Sequence, residues 1–241
     1  MRIITWNVNW ARPDGNREGL IKKVTSEFEP EVACITEGHK EIFTEGYSIF
    51  SDADYGYESP TYRRKVILWS KNPWNRIDTL GGEGLPGGRF ISGTTMTSIG
   101  EVKFIGVCIP WRDAHVISGR KDRKRWEDHE SYLKGLKRIL NDDIQSPLIL
   151  LGDFNQKLPR PKKNGQPIRI YELLMDAIPD TIEIATTGLC DQLNDHISHS
   201  RDLQAEKISL INKSHPDLPE SGKLSDHYGV VVDFMGQLIL Y

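Results

Sequence analysis

A layered α/β (α+β) fold is predicted for this 241-residue chain by three features. Short apolar runs rich in β-branched residues recur along its whole length. Only a few stretches carry the 3.6-residue spacing of amphipathic helices. No linker, repeat or low-complexity tract divides it, so one domain over residues 1–241 is expected. Strands mixed with a few helices bury their apolar faces by stacking in layers.

Taken in order, residues 2–8 predict a first strand. A helix follows over about 16–28, with Leu20, Ile21, Val24 and Phe28 on one face, Asn16 as cap and Pro30 as stop. Strands are predicted at 31–36, near 47–51 and near 65–70. Gly81-Gly82 and Pro86-Gly87-Gly88 mark a loop. Strands near 89–98 and 101–109 flank a hairpin turn at Ile99-Gly100-Glu101. A long helix over about 121–142 carries an apolar stripe of Trp126, Leu133, Leu136 and Leu140. A strand at 147–151, a short helix near 169–177 and strands near 196–199, 206–211 and 228–234 complete the chain.

Chemistry gathers at the strand ends. Leu148-Ile149-Leu150-Leu151 runs into Gly152-Asp153-Phe154-Asn155, and Ser225-Asp226-His227 precedes Val230-Val231-Val232. The first strand ends in Asn7, and Val32-Ala33-Cys34-Ile35-Thr36 ends in Glu37. A carboxylate at the end of a buried strand is destabilised by desolvation unless a cation or hydrogen-bond donors compensate it. These oxygen donors suit Mg2+ or Mn2+, and no Cys/His cluster suggests zinc. Asp153 and Asn155 lie two apart, so in extended backbone they share a side. There the carboxylate can take a proton from water while the amide holds an oxygen. The alternative for this turn-forming tetrapeptide is an Asx-turn.

Composition excludes less. With 31 basic and 34 acidic residues, net charge −3, the chain lacks the basic excess of a dedicated nucleic-acid binder, although local patches matter more than totals. Cys34, Cys108 and Cys190 have no metal-binding spacing, and an odd, sparse set fits a reducing, cytoplasmic setting. The opening Met-Arg-Ile-Ile-Thr-Trp reads as core strand rather than signal peptide. No apolar run approaches the ~20 residues of a membrane span. Two basic stretches, Arg112 with Arg120, Lys121, Arg123, Lys124 and Arg125, and Arg160 with Lys162, Lys163 and Arg169, read either as tracks for a polyanion or as solvated surface. Trp10 and Trp111 read either as base-stacking rings or as core.

Thr5-Trp6-Asn7-Val8-Asn9, Glu37, Gly152-Asp153-Phe154-Asn155, Asp195-His196-Ile197 and Ser225-Asp226-His227 occur in one order over positions 5 to 227. In these pieces the chain resembles the endonuclease/exonuclease/phosphatase superfamily, the group of deoxyribonuclease I and the exonuclease III-like abasic-site endonucleases. The resemblance implies a four-layered sandwich of two mostly antiparallel sheets flanked by helices, with the site at one end. It implies Glu37 as main Mg2+ ligand, with Asn7 close by and Asp226 binding metal or orienting the phosphate. It further implies Asp153, with Asn155, as the group orienting the attacking water. His227, paired with Asp195, would stabilise charge on the phosphate. Asp191 is a second candidate partner for His227.

The chain departs from the pattern in places. Asn194 precedes Asp195 where Ile or Leu is common, and Thr36 replaces the Gln usual before the metal Glu. Trp10 stands where abasic-site enzymes favour Gly, and the inositol polyphosphate 5-phosphatase signature is missing around Asp195. The phosphate-facing Tyr or His before the long helix is also missing. Cys108 or Ile109 stands there, and Arg112 is expected to supply the substrate contact instead. The expectation is a Mg2+-dependent phosphoesterase, with Mn2+ as substitute, acting on DNA or RNA. A phosphatase on a small phosphorylated metabolite or lipid head group is the alternative. A non-catalytic nucleic-acid binder on the same fold is the alternative of another class.

Overall fold

The computed structural model describes residues 1–82, 84–142, 147–219 and 222–236. Its elements are β1 (Arg2–Asn7), α1 (Asn16–Glu27), β2 (Val32–His39), β3 (Tyr47–Phe50), β4 (Arg63–Ser70), β5 (Trp74–Asp78), β6 (Phe90–Thr97), β7 (Gly100–Cys108), α2 (Glu127–Asp142), β8 (Leu148–Asp153), α3 (Ile168–Ala177), β9 (Ile182–Ile184), β10 (Asp195–Ser200), β11 (Leu203–Ile211) and β12 (Gly229–Gly236). They form two six-stranded sheets, ordered β11-β12-β1-β2-β4-β3 and β5-β6-β7-β8-β10-β9. Pairing is antiparallel except at β1–β2 and β7–β8. A parallel pair needs a crossover, and α1 and α2 supply the two.

Strand alternation sorts the side chains into layers. Ile3, Val32 and Val66 meet Phe104, Ile149 and Ile197 between the sheets. On the outer face of the first sheet, Ile4, Trp6 and Ile35 pack against Leu20 and Ile21 of α1. On the outer face of the second, Ile105, Val107 and Leu150 pack against Leu133 and Leu136 of α2 and Leu174 of α3. The result is the expected four-layered α/β sandwich. Among the described residues, no helix is long and apolar enough to cross a membrane.

Several boundaries differ from the expectation. The long helix starts at Glu127, not near 121. Glu127, Asp128 and Glu130 fill its first turn, where carboxylates favour the positive end of the helix dipole; the basic residues before them do not. Trp126 therefore lies outside the helix, with φ +70°. Its place on the apolar stripe is taken by Tyr132, which is fully buried. At α1, the cap residue is Gly15 rather than Asn16 and gives no side-chain bond. The entry is held instead by Asp14 N donating to Glu18 Oε2 at 2.8 Å. β5 and β9 were not expected. Both are edge strands, and four of the five β5 residues are exposed, so the apolar signal of a strand is absent there.

Candidate active site

Strand parity brings the acidic residues together. On β1, Ile3 faces the opposite sheet, and Asn7 follows it by four residues on the same side. On β8, Ile149 and Leu151 face inward, and Asp153 continues that row. On β10, Ile197 is inward, so Asp195 is too. Register places Asp195 directly beside Asp153. At one end of the sandwich the inner rows thus stop being apolar and become Asn7, Asp153 and Asp195.

Glu37 reaches the same place by a different route. Ala33 and Ile35 of β2 lie in the outer cluster, so continued pleating would turn Glu37 outward. Its φ of +53° breaks the alternation. Asn155, at φ +52°, is likewise left-handed. A non-glycine residue there carries strain, which native structures tend to retain at functional positions. Gly152 just before has φ +135°, and a Cβ on it would sit 2.0 Å from the Val107 carbonyl oxygen. The Gly-Asp pair is therefore a packing requirement of the β7–β8 contact as much as a turn.

Hydrogen bonds fix the centre. Asn7 Nδ2 donates to Asp153 Oδ2 at 3.0 Å, and Asn155 Nδ2 donates to the same oxygen at 2.8 Å. Asn155 N donates to Asp153 Oδ1 at 2.8 Å. The pair therefore forms an Asx-turn and meets through it, not through an extended pleat as expected. Asn7 N donates to Asp195 Oδ1 at 2.8 Å, and Asp195 Oδ2 lies 2.6 Å from His227 Nδ1. Ser225 ties the C-terminal segment down, donating from Oγ to the Asn7 carbonyl at 2.6 Å.

These contacts set the protonation states. Burial is the largest influence on Asp153 and pushes its carboxyl up to about 7; the His227 charge opposes this, while Asp195 and Glu37 add to it. Burial works against charge on His227, but Asp195 and Asp153 outweigh it and push the ring up to about 10. The imidazolium is therefore charged at neutral pH. Its Nδ1 is committed to Asp195, leaving Nε2 for the cleft. Burial also opposes ionisation of Glu37, yet Lys65 holds it below the usual carboxylate range, with Nζ 2.5 Å from Oε1.

The cleft around this centre holds about 470 Å³ and is lined by Asn7, Glu37, Asp153, Asn155, Asp226 and His227, together with Trp10, Tyr55, Tyr57, Arg63, Lys65, Arg89, Cys108 and Trp111. Trp10 and Trp111 are thus cleft walls rather than core. Trp10 is stacked on Tyr55 at 5.8 Å and carries the Arg63 guanidinium 4.9 Å from its ring centre, so it seats cations as well as shaping the wall. Glu37, Asp226 and the Asn7 side-chain oxygen line one cleft and are the donor types that suit a hard divalent ion, with one Glu37 oxygen held by Lys65. A second group, Asp153, Asp195 and His227, places its ligand atoms within 4.8 Å of one another. There the imidazolium already supplies the positive charge.

Arg112 is not brought to the cleft: its Nε bonds Asp113 Oδ2 at 2.8 Å and the side chain is 58% exposed. Other members of the basic stretches are also ion-paired: Arg125 with Asp113, Arg123 with Asp128, Arg120 with Asp122 and Arg169 with Glu130. The cleft cations are instead Arg63, Lys65 and Arg89, none of which stood out in the sequence. Arg89 had one signal, a charged residue heading the apolar strand Phe90-Ile91. Lys65 had none, since its pairing with Glu37 depends on the β2–β4 register.

A profile of the Endonuclease/Exonuclease/phosphatase family matches residues 4–227. No curated protein matches the chain in sequence. Among solved structures, the 3′ phosphatase NExo from Neisseria, bound to product DNA hairpin, is 18% identical, with TM-score 0.68 over 98% of this chain and 99% of that one. An AP endonuclease from Archaeoglobus fulgidus is 18% identical, with TM-score 0.65 over 97% and 99%. An endonuclease/exonuclease/phosphatase from Beutenbergia cavernae is 16% identical, with TM-score 0.66 over 98% of this chain and 71% of that one. At such identities the likeness is one of fold. The profile match over nearly the whole length shows that the chain belongs to the endonuclease/exonuclease/phosphatase family.

Proposed function

We propose that this protein is a Mg2+-dependent phosphoesterase that hydrolyses phosphodiester bonds, with DNA or RNA as substrate. The observation that carries the reading is Asp153, held by two amide donors beside the Asp195–His227 pair. Two carboxylates and a charged imidazole so close together serve an acid–base purpose better than a structural one.

Chemically, Asp153 accepts the proton of a water that attacks phosphorus in line with the leaving oxygen. A carboxylate at about 7 is a stronger base than an ordinary one and is still ionised in useful amount near neutrality. Asn7 and Asn155 fix its oxygens so that one face meets the water. His227, charged and oriented by Asp195, stabilises the negative charge that grows on the phosphate oxygens. A Mg2+ ion held by Glu37, Asp226 and Asn7 would neutralise the phosphate and leaving oxygen as a Lewis acid. The unpaired cysteines support work in a reducing, cytoplasmic setting.

The small-substrate reading also has an observation in its favour. Five arginines of the two stretches that read either as a polyanion track or as solvated surface are paired with carboxylates. This favours the surface reading for them and gives the compact group of cations inside the cleft more weight. The deciding experiment offers single- and double-stranded DNA, abasic DNA, RNA, sugar phosphates and phosphodiester lipids to the wild type and to Asp153→Ala, with Mg2+, Mn2+ or chelator. Metal-dependent hydrolysis that falls by ~10²–10³ or more in the folded variant is expected. Equal turnover by the variant would refute the role of Asp153.

A further inference from the structure

We infer that Arg89 is the phosphate-binding residue of this cleft, replacing across the β6–β7 pair the donor that the family usually places on the strand before the long helix. The observations come from the second sheet. Val107 of β7 pairs with Phe90 of β6, so Arg89 stands opposite Cys108, and Cys108 N donates to the Arg89 carbonyl at 3.0 Å. Ile91 and Phe104 face the inter-sheet core, which puts Arg89 and Cys108 on that same inner face. Both line the cleft with Asp153 and His227. The short Cys108 side chain leaves space that the guanidinium enters from the neighbouring strand. Nη1 lies 3.4 Å from the Cys108 carbonyl oxygen and 4.0 Å from its sulfur.

The second observation is an unmet need. Arg89 is only 2% exposed, and its Nη2 has no hydrogen-bond partner. No carboxylate forms an ion pair with it among the described residues, whereas Lys65 beside it is paired with Glu37. Glu37 acts on the guanidinium only at a distance, and a buried charge with no carboxylate in contact favours an anion that completes it. The planar fork matches a phosphate better than any other side chain. A phosphate in the cleft therefore meets the charge, and a small shift of the guanidinium would turn its buried, unpartnered Nη2 to it. Tyr132 Oη donates to the Arg89 carbonyl at 2.8 Å, which anchors the backbone and leaves the guanidinium for the ligand.

This inference rests on the phosphoesterase reading but is tested apart from turnover. Inorganic phosphate is titrated by calorimetry, with and without Mg2+, into wild type, Arg89→Gln, Arg89→Lys and Lys137→Ala, the last a surface lysine paired with Asp176. Phosphate protection against melting is read in parallel. Arg89→Gln is expected to bind phosphate at least about tenfold more weakly, as loss of a charged hydrogen bond requires, and to lose the phosphate-induced rise in Tm. Arg89→Lys should fall between, and Lys137→Ala should match wild type. Without phosphate, Arg89→Gln should melt no lower than wild type, because a buried charge with no carboxylate in contact has gone. If Arg89→Gln does not fold, a folded Arg89→Lys with weakened binding supports the assignment. A wild type blind to phosphate overturns it, as does unchanged affinity in a folded Arg89 variant. A melting point that drops in Arg89→Gln and returns in Arg89→Lys, with equal phosphate affinity, marks a structural cation instead. Arg89-dependent phosphate binding without hydrolysis of any substrate sinks the phosphoesterase reading and keeps this one.

Discussion

Asp195 does two things at once, and its removal separates them. It is hydrogen-bonded to His227 and adjacent to Asp153, and its negative charge raises the pKa of both. If Asp153 must be ionised, activity rises as pH increases through about 7. If His227 must be protonated, activity falls as pH increases through about 10. The wild-type profile of kcat/KM should therefore be a bell between these limits. In Asp195→Asn the neighbouring charge disappears, so both groups lose a proton more readily. Both limbs then move to lower pH, the alkaline one by roughly 1–3 units because a charged partner within contact distance is lost. A profile whose alkaline limb stays in place would mean that His227 is not the group titrating there.

The β7–β8 pair carries the site through a contact that only glycine allows. Gly152 combines a φ of +135° with no room for a Cβ against the Val107 carbonyl. Gly152→Ala must push β8 away from β7 or distort Asp153, at a cost of roughly 1–3 kcal/mol or more. The expected result is a clear fall in Tm by calorimetry, together with loss of activity from a displaced Asp153. A variant with wild-type Tm would show that the two strands can part without strain. The same element shows what is legible in sequence. The apolar run Leu148–Leu151 reveals the strand, and its two-residue period alone assigns Asp153 to the face of Ile149 and Leu151. The parity of β1 and β10 does the same for Asn7 and Asp195. The choice between Asp191 and Asp195 was open because Asn194 departs from the family pattern beside Asp195 and a second acid stands at 191. Asp195 opens β10, and its register with β8 places it against Asp153 and His227. Glu37 was recognisable by type and position, but its left-handed backbone breaks the pleat and no periodicity foretells that. Arg112 misled because the neighbouring Asp113 captures it, a competition that spacing along the chain does not reveal. β5 and β9 escaped notice because an edge strand with one wet face reads like a loop.

Across the whole molecule, the arrangement of charge decides how much of a substrate can be held. The net charge is −3, and the arginines around α2 are mostly neutralised by carboxylates. With the exposed Lys121, Lys124, Lys162 and Lys163 outside the cleft, attraction for a phosphate seated in it comes chiefly from Arg63, Lys65 and Arg89, with Lys65 partly offset by Glu37. Binding releases about one counter-ion per phosphate neutralised, so the logarithm of affinity should fall against the logarithm of salt with a slope of roughly −2. A protein that tracks a long duplex through 6–10 phosphates loses about 10³–10⁵ in affinity between 50 and 200 mM salt. This one should lose only about tenfold to thirtyfold by the same relation. The measurement is fluorescence anisotropy of labelled single- and double-stranded oligonucleotides with Asp153→Ala, which holds turnover low. The shallow slope would favour a strand end, an isolated nucleotide or a small phosphoester as the bound unit. A slope of about −6 or steeper would mean that the ion pairs at Arg112, Arg123 and Arg125 open to receive nucleic acid, and the long-polymer nuclease reading would then prevail.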